Sequence, residues 1–131
     1  NESTLTKLIA LRAYAKCLNT LNLGDFEDIL SEDFIYESQS VLTPITTKKS
    51  FIDYILPKFK TIKKANAPIF AEIGNVSAYL EFQPCIIVAQ NHKDNLVCLV
   101  LAKIENNKLS RLDLCIQPPP QSADRTGEYP N

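Results

Sequence analysis

The chain has 131 residues, enough for one domain that buries most of the surface its unfolded chain would expose. It carries 14 basic and 15 acidic residues, and this balance gives no electrostatic reason to expect binding to nucleic acid or to an anionic membrane. No apolar run approaches the roughly 18 residues of a membrane span, so neither nucleic acid nor a membrane is an expected partner.

The first third of the chain predicts two helices and then a strand. Apolar residues recur at steps of three and four, which is typical of one helical stripe, at Leu8, Leu11, Ala15, Leu18 and Leu21. Asn22–Gly24 ends this helix, with Gly24 as a left-handed cap. Asp25 and Asp28 begin a short second helix, because carboxylates favour a helix N-terminus. Phe34 to Gln39 alternates between two faces and predicts a strand.

A third helix is predicted after Thr46 or Thr47, either of which can cap it. Its buried side is formed by Phe51, Ile55, Phe59 and Ile62. Pro57 falls inside this pattern and must kink or split the helix, because it lacks an N–H and its ring clashes with the preceding turn. The helix also carries a basic run, for which a solvated face is favoured over an anion-binding patch, at Lys58, Lys60, Lys63 and Lys64.

From Pro68 onward the pattern changes to strands. Ile69 to Ile73 predicts one strand that Gly74-Asn75 closes, and Val76 to Gln83 predicts the next. Pro84 is expected at the start of a new strand or at a bulge, since proline cannot donate to a central ladder. Cys85 to Gln90 continues as a nearly all-apolar strand.

A hairpin is predicted from Asn95 to Pro118, with Asn106-Asn107 as its turn, because asparagine tolerates the positive φ that a two-residue turn demands. That turn fixes a register in which the opposed pairs are Ala102–Arg111, Val100–Asp113 and Cys98–Cys115. The other face is then wholly apolar and must be covered, with Val97, Leu99, Leu101, Leu112, Leu114 and Ile116 together on it.

This order of elements predicts an α+β domain, in which N-terminal helices pack on one face of a curved antiparallel sheet. The predicted domain covers residues 1–117. Residues 118–131 are polar and rich in proline, and they predict an extended C-terminal tail that does not pack on the domain.

None of the four cysteines forms a CxxC pair, which argues against zinc and thioredoxin-type sites: Cys17, Cys85, Cys98 and Cys115. Their apolar neighbours favour buried free thiols in a reducing compartment, so the cytoplasm is the expected location, with a leader removed before Asn1 left open. A cross-strand disulfide between Cys98 and Cys115 is the alternative. No metal or cofactor motif is visible, and neither is expected.

Five short motifs follow the order of elements described above. They are LN at 18–19, GDF at 24–26, LSEDF at 30–34, TKKSFIDYI at 47–55 and NKLSRL at 107–112. Together they resemble the nuclear transport factor 2-like (SnoaL-like, cystatin-like α+β) superfamily, over roughly Leu5 to Pro118. The resemblance implies a cone-shaped α+β barrel with a pocket between helices and sheet, and a homodimer through the outer sheet face.

The resemblance also implies candidate site residues. Isomerase members use a tyrosine on the first helix as an oxyanion donor and an aspartate on the first strand as a base. Tyr14 matches the tyrosine, but Ser38 stands at the base position, and a serine cannot accept a proton at neutral pH without a partner base. Glu37 should point to the opposite face. Proton abstraction by the isomerase route is therefore not expected, and the chain is expected not to be an enzyme of that kind.

Two other types of site in the superfamily can be compared with this sequence. Dehydratase-type members use histidines in the pocket, whereas the single histidine here, His92, lies in a polar loop. Epoxide hydrolases use an arginine bracketed by carboxylates, and Arg111 and Asp113 share a strand face. An outward ion pair or a dimer interface is the favoured interpretation of that pair, while a reversed sheet would place it in the cavity. The candidate ligand contacts are Tyr14, Tyr36, Ser38 and Tyr79.

Three functions are consistent with these residues. The favoured one is a non-catalytic domain that binds a small apolar molecule or a partner, with a cavity between helices and sheet. The first alternative is an isomerase, cyclase or hydrolase acting on a small apolar substrate, with Tyr14 as polariser and Arg111 and Asp113 as a charged pair. The second is a protein-binding module that uses the basic third helix or the C-terminal tail.

Overall fold

The structure, a computed structural model, describes residues 4–131, and its helices precede most of its strands as predicted. The helices of this part are α1 (Lys7–Thr20) and α2 (Lys48–Ala65), with short 3-10 turns at Phe26–Ile29 and Pro120–Ser122. Its strands are β1 (Leu30–Ser38), β2 (Ile45–Thr46), β3 (Ile69–Ala78), β4 (Glu81–Gln90), β5 (Leu96–Glu105), β6 (Lys108–Cys115) and β7 (Asp124–Glu128).

The α+β class is confirmed, because both helices pack on one face of a single curved sheet. The strand order is β2-β1-β6-β5-β4-β3-β7, and the sheet is not closed into a barrel. β1 and β6 pair in parallel, so the sheet is mixed rather than wholly antiparallel. Within residues 4–131, neither helix is both long and apolar enough to cross a membrane.

Side-chain caps fix where both helices begin. The Thr6 hydroxyl accepts a hydrogen bond from the Ile9 N–H at 3.1 Å, and Thr47 does the same for the Ser50 N–H at 3.1 Å. α1 ends on Leu21 in the left-handed conformation, with φ of 52°, and not on the expected Gly24. α2 continues through Pro57 as one helix, so of the two expected outcomes, a kink or a split, the split does not occur.

The reversal after β3 lies five residues later than predicted. β3 runs through Gly74 and Asn75, and the chain turns at Tyr79-Leu80, which have φ values of 51° and 64°. The sequence could not indicate this turn, because neither residue is one that favours positive φ. Pro84 lies within β4 opposite Asn75, and it is tolerated because the pairing of β4 with β5 begins only at Ile86.

The Asn106-Asn107 turn is confirmed, with φ values of 52° and 58°, but the predicted register fails beyond it. Ile104 still faces Leu109, and then Ser110 is an extra residue, so that Lys103 faces Arg111. The observed pairs beyond the bulge are Ala102–Leu112, Leu101–Asp113, Val100–Leu114 and Leu99–Cys115. A bulge adds one residue to one strand, and this shifts every later pair.

This one-residue shift changes which side chains share a face. Leu112 and Leu114 do face the helices, but they do so with the β5 residues Cys98, Val100 and Ala102. Leu99, Leu101 and Cys115 lie on the outer face, so the prediction that Leu99 and Leu101 share a face with Leu112 is wrong. Cys98 and Cys115 are on opposite faces, which rules out the disulfide between them, and all four thiols are free.

Residues 118–131, here named the strap, pack on the domain, and their first part covers some of the outer face of the sheet. The 3-10 turn Pro120–Ser122 contacts β5, and Ala123 packs against the outer apolar cluster. β7 then pairs antiparallel with β3, placing Arg125 opposite Gly74. The expectation of a tail that does not pack on the domain is wrong, because the outer face is itself apolar and its burial favours packing of the strap.

A buried carboxylate on β3 anchors the strap. Glu72 is 3% exposed and accepts hydrogen bonds from Arg125 Nε at 2.8 Å, from the Gly127 N–H at 2.8 Å and from the Tyr129 hydroxyl at 3.3 Å. Gly74 leaves room for the strap backbone, since a Cβ there would lie 2.7 Å from the Asp124 carbonyl oxygen. The strap is therefore part of the folded domain.

Candidate functional site

A cavity of about 260 Å³ lies between the two helices and the inner face of the sheet. Its walls come from α1, α2 and five strands, and they are mainly apolar, with Leu18, Ile55, Phe59, Val88, Val100 and Leu114 among them. Wider depressions, of about 380, 590 and 410 Å³, are more open grooves at the surface. The cavity between helices and sheet is less open than these grooves and is the best candidate site, because ligand sites are concave and mostly apolar.

Two tyrosines form the buried polar part of the cavity wall, to which Gln90 and Asn91 add two exposed amides. Tyr14 comes from the buried side of α1 and is 2% exposed, while Tyr36 comes from the inner face of β1 and is 5% exposed. Burial raises the pKa of both hydroxyls above the ordinary value, and a hydrogen bond between Tyr14 and Tyr36 opposes that rise for Tyr36. Both phenols are protonated at neutral pH, so they can donate hydrogen bonds but cannot serve as bases.

Cys98 places a thiol on the cavity wall. Burial raises the pKa of this thiol to about 12. At neutral pH it is therefore a thiol and not a thiolate, and it lacks the depressed pKa of a catalytic cysteine. Its contribution to the site is that of a small, polarizable wall residue.

Lys58 supplies a cation at the mouth of the cavity. Its ammonium group donates a hydrogen bond to the Tyr54 hydroxyl at 2.9 Å and lies 5.2 Å from the centre of the Tyr54 ring. The sequence interpretation assigned this lysine to a solvated face and missed it as a site residue. Its spacing could have indicated the position, because Lys58 is three residues after Ile55 and four before Ile62.

The wall of the cavity carries hydrogen-bond donors but no general base. Among residues 4–131, no carboxylate and no imidazole lines it. The same part of the chain contains no cluster of side chains that could hold a metal ion. The arrangement can hold an apolar molecule and polarise an oxygen on it through the tyrosine hydroxyls.

The structure separates the four predicted ligand contacts. Tyr14 and Tyr36 lie together in the cavity. Ser38 does not line it, and its hydroxyl lies 2.8 Å from the Ser40 hydroxyl. Tyr79 is 70% exposed at the β3–β4 turn, near Asp113 and Cys115 of the outer face. The position of Tyr36 agrees with the alternation predicted for residues 34–39, whereas the position of Tyr79 depends on a turn that the sequence does not indicate.

Arg111 and Asp113 lie on the outer face of the sheet, away from the cavity. Arg111 Nε donates to both carboxylate oxygens of Asp113, at 2.9 and 3.1 Å, and its Nη2 donates to Glu37 on β1. Burial is the largest influence on Asp113 and raises its pKa, while Arg111 opposes that rise. The expected facing residues Ala102 and Val100 are replaced by Lys103 and Leu101, because of the Ser110 bulge.

The comparisons with known proteins show the fold. No family model and no curated protein matches the sequence. An uncharacterised cystatin-fold protein from Novosphingobium aromaticivorans is 13% identical, with a TM-score of 0.60, and the match covers 85% of this chain and 98% of that one. A nuclear transport factor 2-like protein of unknown function from Cytophaga hutchinsonii is 13% identical, with a TM-score of 0.57 and coverage of 90% and 97%.

Two further matches carry names of enzymes. A candidate ketosteroid isomerase from Kribbella flavida is 14% identical, with a TM-score of 0.55, and the match covers 92% of this chain and 77% of that one. A candidate polyketide cyclase from Sinorhizobium meliloti is 11% identical, with a TM-score of 0.54 and coverage of 81% and 93%. The fold is that of the nuclear transport factor 2-like proteins. Structural similarity at 11–14% identity does not assign an activity to this chain.

Proposed function

We propose that this protein binds a small, largely apolar molecule in the cavity between its helices and its sheet, without changing it chemically. The observation that carries the proposal is the composition of the cavity wall. It joins an apolar lining to two protonated tyrosine hydroxyls, and among residues 4–131 it includes no carboxylate, no imidazole and no thiolate.

The size of the cavity supports a small ligand with few polar groups. Its volume of about 260 Å³ is slightly below the ~300–1,000 Å³ typical of small-molecule sites. Tyr14 and Tyr36 can orient one carbonyl or hydroxyl oxygen of the ligand, while its remaining surface is buried against aliphatic and aromatic side chains.

An enzyme of the isomerase or cyclase type is the second candidate. It is favoured by the position of Tyr14 in the cavity and by the names of two proteins that share the fold. Against it stands the lack of a base on the wall. Arg111 and Asp113 give this alternative no support, because they lie on the other face of the sheet.

Binding of a partner protein through the tail has less support. The strap is held by its own sheet, and its Arg125 is engaged by Glu72 and Asp94. A homodimer through the outer sheet face stays a prediction. A second copy would have to use the part of that face that the strap leaves exposed, near Tyr79 and Leu80.

The binding proposal can be tested with a neutral aromatic probe, 2-naphthamide, titrated into isotope-labelled full-length protein. We expect amide shifts to cluster around Cys98 and Val100, and Leu114→Trp to abolish binding by filling the cavity. Ile116→Trp is the matched control, since Ile116 is exposed and does not line the cavity. No binding by the native protein, or equal binding by a folded Leu114→Trp variant, would contradict the proposal.

A second probe separates binding from catalysis. 2-Acetylnaphthalene has the same ring system and carries exchangeable protons next to its carbonyl group. We expect it to bind without faster exchange of those protons in D₂O, because the cavity wall has no base. Accelerated exchange that Tyr14→Phe removes would replace this proposal with the isomerase-type alternative.

A further inference from the structure

We infer that the molecule this cavity accepts is an anion, a carboxylate with an apolar body, whose charged group pairs with Lys58 at the mouth. The inference rests on the proposed binding function and adds the chemical class of the ligand.

Lys58 is available for a ligand, unlike the lysines in the first turn of the same helix. Lys48 pairs with Glu32 at 3.9 Å, and Lys49 pairs with Asp53 at 2.9 Å. Within residues 4–131, the hydrogen bond of Lys58 goes to a neutral acceptor, the Tyr54 hydroxyl. An incoming carboxylate would therefore meet an ammonium group that has no internal counterion to give up.

The charge of Lys58 acts inside the cavity as well as at its surface. It lowers the pKa of the Cys98 thiol on β5, against the larger effect of burial, which raises that pKa. No acidic side chain lines the cavity within the described part of the chain, so nothing on the wall cancels this field. A site with one sign of charge and low-dielectric walls favours ligands of the opposite sign.

Tyr54, Tyr36 and Tyr14 are successive neighbours between Lys58 and the buried wall of the cavity. Tyr54, against which Lys58 lies, is 37% exposed, and its ring centre is 5.8 Å from that of Tyr36. Exposure then falls to 5% at Tyr36 and 2% at Tyr14. This gradient orients the ligand, with the carboxylate at the exposed end and the apolar body against the buried wall. A second oxygen on the ligand would meet the hydroxyls of Tyr36 and Tyr14.

The test compares 2-naphthoate with 2-naphthamide, which have nearly the same shape and differ in charge. We expect full-length protein to bind the naphthoate about fivefold more tightly, the size that an ion pair near the surface can supply. Lys58→Gln should bring the ratio of the two dissociation constants close to one, while Lys58→Arg should keep it. Higher salt concentration should reduce the ratio in the native protein.

Lys60→Gln is the matched control, because Lys60 is exposed on the same helix and does not line the cavity. Equal affinity for the two probes in the native protein would overturn the inference and leave the binding function intact. If Lys60→Gln lowers the ratio of the two dissociation constants as much as Lys58→Gln does, the inference is also overturned, because the positive charge of the whole helix surface would then explain the preference for naphthoate. If neither probe binds, the proposed binding function is wrong, and the inference about the charge of the ligand is wrong with it.

Discussion

The two faces of the sheet are both apolar, yet they are covered in different ways. The inner face is covered by α1 and α2, which leave a cavity of about 260 Å³ between themselves and the strands. The outer face is covered in part by the strap, a segment of the same chain whose strand β7 pairs with β3 and forms the edge of the sheet. The helix side therefore contains a cavity that can hold a ligand, whereas part of the outer face is occupied by the strap.

The polar groups on the two faces differ in the same way. Glu72 and Arg111 on the outer face are bonded to several protein partners each. On the inner face, Tyr14 and Tyr36 point their hydroxyls at a cavity, and Lys58 at its mouth has no anionic partner among the described residues. The outer-face groups stabilise the fold, whereas Tyr14, Tyr36 and Lys58, whose described hydrogen bonds join tyrosine hydroxyls, lie where they can also bond a ligand.

Removal of the strap, by ending the chain at Gln117, should have the largest effect. It uncovers the outer apolar cluster and leaves the Glu72 carboxylate without its donors, so we expect a loss of at least ~3–5 kcal/mol in the free energy of unfolding. Urea denaturation measures this loss. Removal of Asn131 alone is the control, and a truncated protein as stable as the full chain would show that the outer face needs no cover.

Substitution of the buried carboxylate should have the next largest effect. Glu72→Gln removes the charge that faces Arg125, and we expect a loss of about 3 kcal/mol in the free energy of unfolding. Glu81→Gln breaks an exposed pair with Lys7, where a loss below ~1 kcal/mol is expected. Equal losses in the two variants, measured by the same denaturant titration, would contradict the role assigned to Glu72.

The dependence of stability on alkaline pH tests whether the cysteine thiols on both faces of the sheet are shielded from water. Burial raises the pKa of Cys98 on the inner face and of Cys85 on the outer face from 9.0 to about 12. Because the unfolded chain releases these protons first, stability should be constant below pH ~8 and fall as the pH rises from 9 toward 12. The loss from pH 9 to 10 is on the order of 1 kcal/mol for each thiol.

The same prediction can be checked one thiol at a time. Cys98→Ala and Cys85→Ala should each reduce the steepness of the alkaline loss, measured by unfolding at a series of pH values. If only one of them does so, the face carrying the other cysteine is open to water.

Removal of the outer ion-pair network should have the smallest effect. Arg111→Ala disrupts contacts with Asp113 and Glu37 that are partly exposed, so a change below ~1 kcal/mol in stability is expected. Affinity for 2-naphthoate should not change, because these residues do not line the cavity. A large loss of affinity for 2-naphthoate in Arg111→Ala would instead indicate that Arg111 and Asp113 belong to the binding site, as the hydrolase alternative requires.

Much of the inner face could be predicted from the sequence. The helical stripe at Leu11, Ala15 and Leu18 and the Asn106-Asn107 turn follow local rules of spacing and turn chemistry. Tyr14 was selected through the family resemblance, and Tyr36 was also assigned to the pocket, where the structure places both.

The outer face was harder to predict, for physical reasons that can be named. The Ser110 bulge has no sequence marker, and it reverses which residues of the two strands share a face. The Tyr79-Leu80 turn lacks glycine or asparagine. The sequence of the strap predicts an extended, unpacked tail, because the strap is stabilised by residues distant in sequence, Glu72 and Ile73 on β3, and not by a local pattern.

A crystal structure of the full chain with 2-naphthoate tests the central claim most directly. The account predicts that the naphthalene ring lies between the helices and the sheet, against Val100, with its carboxylate within hydrogen-bonding distance of Lys58. A ligand bound on the outer face beside Arg111, with the inner cavity empty, would contradict the account.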